Sequence, residues 1–215
     1  MNDHFLQKIH NFLLYLQLMR NITYRFLLIC LVVSTVTLMS NVQTYVYDAF
    51  IKGHDVGEMT VDREVNDESE KISVTSRIKA HMLVTIRVDF DSNSTYMDGA
   101  LVEAEAITKT NGHLHSQAKT ILKDGKYQVN LDGDSKQVAG SKLIGGDMFY
   151  FEEPTNVKKI YSLASAEMLD VSTASSNEYY FEYDGKKELH KYSNGVLSEM
   201  RLEHRLYTVV FKLRK

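Results

Sequence analysis

Residues 98–133 read DGALVEAEAITKTNGHLHSQAKTILKDGKYQVNLDG, and four Asp-Gly or Asn-Gly pairs divide this stretch at short intervals. Each pair favours a two-residue type I′ turn, because Asn or Asp followed by Gly tolerates positive φ at both central positions. Two more such pairs follow towards the C-terminus. The predicted turns are Asp98-Gly99, Asn111-Gly112, Asp124-Gly125, Asp132-Gly133, Asp184-Gly185 and Asn194-Gly195. Hairpins in series indicate an antiparallel meander.

The segments around these turns alternate between apolar and polar side chains, as strands with one buried face do. The apolar positions that share a face are Met59, Val61 and Val65; Ile72, Val74 and Ile78; and Met82, Val84, Ile86, Val88 and Phe90. Turns at residues 98, 111 and 124 leave about eleven residues per strand, where about five or six are usual. Because long antiparallel sheets twist and curl, we predict an all-β fold with minor α content, a curved and partly open barrel-like sheet.

Two regions depart from this alternation. Residues 141–169 contain Gly145-Gly146, three consecutive aromatic residues and Pro154, which predicts short helices and loops lying over the concave face of the sheet. Residues 157–168 belong to these predicted helices and loops. Nearer the C-terminus, the alternation changes parity between Leu202 and Val209. One extra residue shifts the side-chain phase of a strand, so we predict a bulge or bend at residues 204–206.

The N-terminal 40 residues resemble an export signal. Arg20 and Arg25 precede an apolar run at residues 26–39, and the small residue Ser40 follows it. This run is shorter than the roughly 20 residues of a membrane-spanning helix, which favours cleavage near Ser40 over a retained N-terminal anchor. Signals normally begin at the terminus, so we expect Met19 to be the true start. The predicted organisation is an extension plus signal peptide at 1–40 and a single antiparallel β domain at 41–215.

Charge and cysteine content argue against some classes of function. The formal net charge is −3, and residues 1–40 hold three basic residues and one acidic residue, so the remainder carries about −5. Lys and Arg alternate with Asp and Glu instead of forming the basic stripe that nucleic-acid binding requires. The single cysteine, Cys30, lies in the apolar run, so we expect neither a disulfide nor a thiolate metal site in the mature domain.

Three segments carry a resemblance to a known family. Residues 51–59 (IKGHDVGEM), 150–154 (YFEEP) and 206–211 (LYTVVF) resemble the recurring segments of a family of small exported bacterial proteins catalogued only as a domain of unknown function. This resemblance covers nearly all of the predicted domain and implies no activity. The predicted architecture is also similar to periplasmic lipoprotein carriers, half-barrels that wrap helices around an acyl-chain cavity. Fewer helices are predicted here, which argues against a large lipid cavity.

Aromatic residues form the candidate ligand site. Phe149, Tyr150 and Phe151 lie in the segment predicted to cover the concave face, and Phe90 and Met82 belong to the apolar face of one strand. Aromatic rings contribute strongly to core packing, which is the alternative interpretation of the cluster. A ligand groove lined by rings, with the Tyr150 hydroxyl as a polar group, is the functional interpretation.

Catalytic and metal motifs are not evident in the sequence. We assign no catalytic residue, no metal ligand and no cofactor, because the sequence lacks a nucleophile elbow and a phosphate-binding glycine loop. His113 and His115 share a strand face, but a zinc site needs further ligands that the sequence does not identify. Adjacent Glu152 and Glu153 are the residues that an envelope-polymer hydrolase would use here.

The leading functional hypothesis is a non-enzymatic, exported and periplasmic protein that holds an apolar or lipid-like ligand or an envelope protein segment. Under this hypothesis the protein has no nucleic-acid partner. It contacts the membrane only through the transient signal segment. An outer-membrane β-barrel is one alternative, since such barrels also use alternating strands of about ten residues. A hydrolase of envelope polymers is the other.

Overall fold

In the computed structural model, the Asp-Gly and Asn-Gly pairs form the turns that the sequence predicts. Five of the six pairs have positive φ at both positions, with 50–54° at the Asp or Asn and 66–97° at the Gly. The sixth, Asp184-Gly185, lies outside the described residues. Lys52-Gly53 also turns, with φ of 51° and 81°. The sequence did not predict this turn, because Lys lacks the short polar side chain that makes Asn and Asp tolerant of this conformation.

The structure describes residues 41–81, 84–138, 142–183, 186–203 and 207–215, within the compact unit Ser40–Lys215. Residues 1–40, with the predicted signal, Met19 and Cys30, lie outside the described residues. The described chain forms fourteen strands and one short helix. The strands are β1 (Asn41–Ile51), β2 (His54–Val65), β3 (Glu70–His81), β4 (Thr85–Met97), β5 (Ala100–Thr110), β6 (His113–Lys123), β7 (Lys126–Leu131), β8 (Asp134–Val138), β9 (Lys159–Ser162), β10 (Glu167–Ser175), β11 (Glu178–Tyr183), β12 (Lys186–Ser193), β13 (Val196–Glu203) and β14 (Thr208–Leu213).

All the strands belong to one antiparallel sheet that is not closed into a barrel. Its order is β8-β7-β6-β5-β4-β3-β2-β1-β14-β13-β12-β11-β10-β9. Two meanders, β1 to β8 and β9 to β14, are joined where β1 pairs with β14 from Tyr47↔Leu213 to Ile51↔Val209. Strongly twisted sheets of more than about ten strands tend to curl, and this one buries its apolar side chains on its concave face. The predicted fold class is confirmed.

The predicted alternation identifies much of the core, although Val65 at the end of β2 and Val84 before β4 are exposed. Met59, Val61, Ile72 and Val74 are each at most 2% exposed. The predicted change of parity falls where the chain reverses direction, because β13 and β14 pair antiparallel as far as Glu203↔Thr208. Residues 204–206, where we predicted a bulge or bend, lie outside the described residues. Met200 and Val209 are both buried, so the strands on each side of this reversal contribute to one core.

The central segment, which we define as residues 142–169, is less helical than predicted. It contains one 3-10 helix, Gly146–Tyr150, and part of the stretch 157–168 is strand β9. The expectation of short helices and loops over 157–168 did not include strand β9, in which Ile160 pairs with Leu169 of β10 and is buried. A four-residue strand has too few positions for a period-two pattern to identify it from sequence.

Five fully buried tyrosines line the core, and each hydroxyl makes a hydrogen bond. Tyr47 donates to the Leu197 carbonyl at 3.0 Å, and Tyr192 donates to the Phe149 carbonyl at 2.9 Å. The hydroxyls of Tyr161 and Thr120 are 2.8 Å apart and join β9 to β6. The remaining two, Tyr96 and Tyr127, contact the central segment. A buried hydroxyl without a partner costs free energy, so these bonds position the central segment closely.

The residues before the 3-10 helix connect two strands that are not neighbours in the sheet. Leu143 accepts a hydrogen bond from the Leu101 amide of β5 at 3.0 Å, and Ile144 accepts one from the Tyr161 amide of β9 at 2.8 Å. The Tyr127 hydroxyl strengthens this connection, since it donates to the Leu101 carbonyl at 2.9 Å and accepts from the Leu143 amide at 3.0 Å. The central segment is thereby attached to both meanders.

We expect Tyr127→Phe to lower the free energy of unfolding by about 2 kcal/mol, because it leaves a buried amide and a buried carbonyl each short of one partner. Urea denaturation followed by circular dichroism measures this change. Tyr180→Phe is the matched control, since Lys187 lies 5.2 Å from the Tyr180 ring centre and phenylalanine keeps that contact. A loss at Tyr127 no greater than at Tyr180 would contradict the proposed role of the hydroxyl.

Candidate functional site

A cavity of about 430 Å³ lies between the concave face of the sheet and the 3-10 helix. Its size is within the range of about 300–1,000 Å³ that is typical of small-molecule sites. Most of the wall is apolar. Its apolar residues include Ile51, Val74, Ile78, Leu197, Met200 and Phe211. The concave face is therefore hollow at this place, and the fewer helices do not prevent a cavity from forming.

The cavity is partly open to solvent. Ile86, Val88, Phe90 and Glu188 line it and are only half-buried, so they mark its exposed side. Ile51 and Ala80 also belong to the wall and lie at the ends of β1 and β3.

Three of the five predicted ligand residues meet in this cavity. Phe149, Tyr150 and Phe90 line it. Phe151 points elsewhere, with its ring centre 5.2 Å from that of Tyr45. Met82 lies outside the described residues. Ligand binding by these residues stays a prediction.

Tyr150 presents a weakly bound hydroxyl. Its oxygen lies 3.6 Å from the Met59 sulfur, and a thioether is a weak acceptor. Burial raises the pKa of Tyr150, so the hydroxyl stays protonated at neutral pH. The Tyr150 side chain can therefore offer a hydrogen-bond donor at the cavity wall.

Asp147 is a buried carboxyl that the sequence analysis did not identify. It lies in the cavity wall, 6% exposed, and accepts hydrogen bonds from the hydroxyls of Ser94 and Tyr96. Gly145 allows this approach, because a Cβ there would collide with the Tyr96 hydroxyl and the Asp147 carboxylate. Burial raises the pKa of Asp147, although the bonds from Ser94 and Tyr96 partly oppose that rise.

His190 also belongs to the cavity wall, with its side chain 7% exposed. Its ring stacks on Phe181 with centres 4.0 Å apart, and its Nε2 lies 3.4 Å from a Glu188 carboxylate oxygen. Among the described residues, nothing hydrogen-bonds its Nδ1. Sequence patterns do not single out His190, because its burial depends on the pairing of β12 with β11 and β13.

Two serines also belong to the wall. Ser76 on β3 is 5% exposed and Ser92 on β4 is 4% exposed. Ser76 has the same strand parity as Ile72 and Val74, so the alternation in the sequence did carry a signal for its inward position. A search directed at aromatic and charged residues does not detect such serines.

The residues considered for other chemistry lie away from the cavity. Glu152 and Glu153 are not in its wall, and Glu153 accepts a hydrogen bond from the Tyr179 hydroxyl at 2.8 Å. His113 and His115 are exposed at the start of β6. Within the described ranges, no three His, Cys, Asp or Glu side chains converge as metal ligands would.

The sequence from residue 47 to residue 214 matches a family described as "Domain of unknown function (DUF6134)". The chain belongs to this family. The match covers residues 47–51 of β1 and every later strand of this DUF6134 protein. It confirms the resemblance to a family of unknown function that the sequence indicated. No curated protein matches the chain.

A solved structure supports the architecture. The beta-barrel-like protein of domain of unknown function DUF1849 from Brucella abortus is 14% identical, and the match covers 83% of this chain and 98% of that chain with a TM-score of 0.56. At this identity the similarity shows the fold alone. In the described part of this DUF6134 chain, no helix has the length and apolar character needed to cross a membrane.

The raised pKa of Asp147 makes stability depend on pH. Above its ordinary pKa of 3.8, the unfolded chain releases this proton while the folded chain retains it. Stability therefore falls as the pH rises from 3.8 to the folded-state pKa, by at most about 1.4 kcal/mol per pH unit. We expect Asp147→Asn to remove this slope in urea denaturation between pH 4 and pH 8.

Asp134→Asn is the matched control, because it removes a carboxylate from an exposed position on β8. If Asp147→Asn and the native chain showed parallel stability curves across this pH range, the carboxyl would not be retaining a proton in the fold.

Proposed function

We propose that this protein is a non-enzymatic binding protein of the bacterial envelope that holds an apolar ligand in the cavity of its curved sheet. The cavity itself is the observation that carries the proposal. Native interiors contain few voids larger than a water molecule, so a space of about 430 Å³ with a largely apolar wall is suited to a ligand. Transfer of the ligand from water to this wall would supply the binding free energy.

The arrangement of the polar groups favours binding over catalysis. The Asp147 carboxylate already accepts hydrogen bonds from Ser94 and Tyr96, which hold it in the wall. His190 is stacked on Phe181 and lies beside Glu188, an arrangement that restricts its ring. Restricted polar groups within an apolar wall are typical of sites that orient a ligand.

The convex face supports this proposal over an outer-membrane barrel. Arg77 pairs with Asp91 at 2.6 Å, and Lys119 pairs with Glu103 at 3.3 Å, on the outward sides of β3 to β6. Transmembrane barrels carry an apolar band on their outward face, and charges there are destabilising. The charges instead suit a face in contact with water.

Val88→Trp should fill part of the cavity and lower the affinity for an apolar fluorescent probe, N-phenylnaphthylamine, at least tenfold. Val88 lines the cavity at its exposed side, and the chain has no native tryptophan, so the new side chain also reports on the probe by energy transfer. A fluorescence titration measures the affinity, and circular dichroism checks that the variant is folded.

Val42→Trp is the matched control, because it places the same side chain on β1 at a position that is 60% exposed. We expect this variant to bind the probe as tightly as the native chain. Equal affinity of the two variants would show that the probe binds elsewhere.

Export to the periplasm is part of the proposal and rests on the sequence of residues 19–40. We expect the full chain, produced in a Gram-negative host, to be recovered from the periplasm with its N-terminus near residue 41, as intact mass spectrometry would determine. Leu28→Arg interrupts the apolar run and should block processing, whereas Asn21→Arg adds the same charge to the basic region and should permit it. An unprocessed native chain would contradict the signal-peptide interpretation.

A further inference from the structure

Ser76 and Ser92 place two hydroxyls at the wall of a largely apolar cavity. Both residues are more than nine-tenths buried. Among the described residues, neither serine hydroxyl has a hydrogen-bond partner, in contrast to Ser94, which donates to Asp147. Neither serine oxygen is among the fully buried unpaired atoms of the described residues, so both hydroxyls open onto the cavity and are available to a bound molecule. A polar group on a bound molecule would supply the missing partner.

The strand register brings these hydroxyls close together. Val74 lies opposite Ser92, and Ser76 is two residues along β3 from Val74, on the same face. Ser76 and Ser92 are therefore diagonal neighbours, whose positions in an antiparallel pair are roughly 7 Å apart. One oxygen-bearing group between them could reach both hydroxyls.

The titratable side chains of the wall indicate whether the polar group of the bound molecule is charged. The titratable residues there are Asp147, Glu188, His190, Tyr150 and Tyr207. Among the described wall residues there is no lysine or arginine to pair with an anion. A carboxylate in this cavity would meet two acidic side chains, and burial of an unpaired charge is strongly unfavourable.

We infer that the cavity takes an apolar molecule whose polar end is an uncharged oxygen group, such as an alcohol, hydrogen-bonded by Ser76 and Ser92. This inference rests on the proposed function, since it specifies the ligand of the same cavity. A serine hydroxyl can donate and accept, so the pair can bond a ligand hydroxyl in either direction. A free fatty acid is disfavoured, because its ionised end would meet the acidic side chains of Asp147 and Glu188 and no lysine or arginine of the described wall.

Displacement of N-phenylnaphthylamine by three ligands of equal chain length tests the inference: dodecanol, dodecanoate and dodecane at pH 8. We expect dodecanol to displace the probe at a roughly tenfold lower concentration than either of the others, as one or two hydrogen bonds of ordinary strength would produce.

The double variant Ser76→Ala with Ser92→Ala should remove this preference and leave displacement by dodecane unchanged. Because neither hydroxyl has a partner in the fold, the variant should melt at the same temperature as the native chain or higher. Ser73→Ala is the matched control, since Ser73 lies on the opposite face of β3 and donates to Asn93 at 2.8 Å. This control should retain the preference for dodecanol.

The outcomes separate the inference from the function on which it rests. Equal displacement by dodecanol and dodecane, displacement by dodecanoate as effective as that by dodecanol, or an unchanged preference in the double variant would overturn the inference alone. A native chain that did not bind the probe would overturn the proposed function together with the inference.

Discussion

The hydrogen bonds of the buried tyrosines hold the central segment against the sheet, and the cavity depends on that attachment. Tyr127 attaches Leu143, Tyr96 attaches Asp147 and Tyr192 attaches Phe149, so consecutive parts of one segment are each tied to a different strand. Phenol side chains are long enough to cross the space beneath a curved sheet and still present a polar end. The hydrogen bonds thus fix the distance between the sheet and the central segment, and the cavity occupies the space between them.

The polar groups of the cavity wall come from both meanders of the sheet. Ser76 and Ser92 come from the first meander, and His190 comes from the second, with the pairing of β1 with β14 between them. Neither meander contains the complete set. The site is therefore a property of the whole sheet, and its geometry depends on the curvature that brings β3 and β12 to face one another.

The features that could be predicted from the sequence are those that depend on neighbouring residues. Asp98-Gly99 and the similar pairs determine φ within two residues, so their hairpins and the intervening strand lengths follow directly. The alternation of apolar and polar residues gives the inward faces of β2 and β3. Prediction was weaker where a residue's role depends on distant partners. Strand β9 is recognisable only from its pairing with β10, and Asp147 is distinguished only by the approach of Ser94 and Tyr96. Phe149 and Tyr150 were selected as aromatic residues, whereas the serines required knowledge of which positions face the cavity.

The joining of β1 to β14 has a consequence for the folding kinetics of the chain. Tyr47 pairs with Leu213, so the contact that unites the two meanders closes a loop that includes nearly the whole domain. Closure of so long a loop has a high entropic cost, and proteins dominated by non-local strand pairing fold slowly. Each meander can form from local hairpins while the chain emerges, but the unification of the sheet must wait for the last strand to become available.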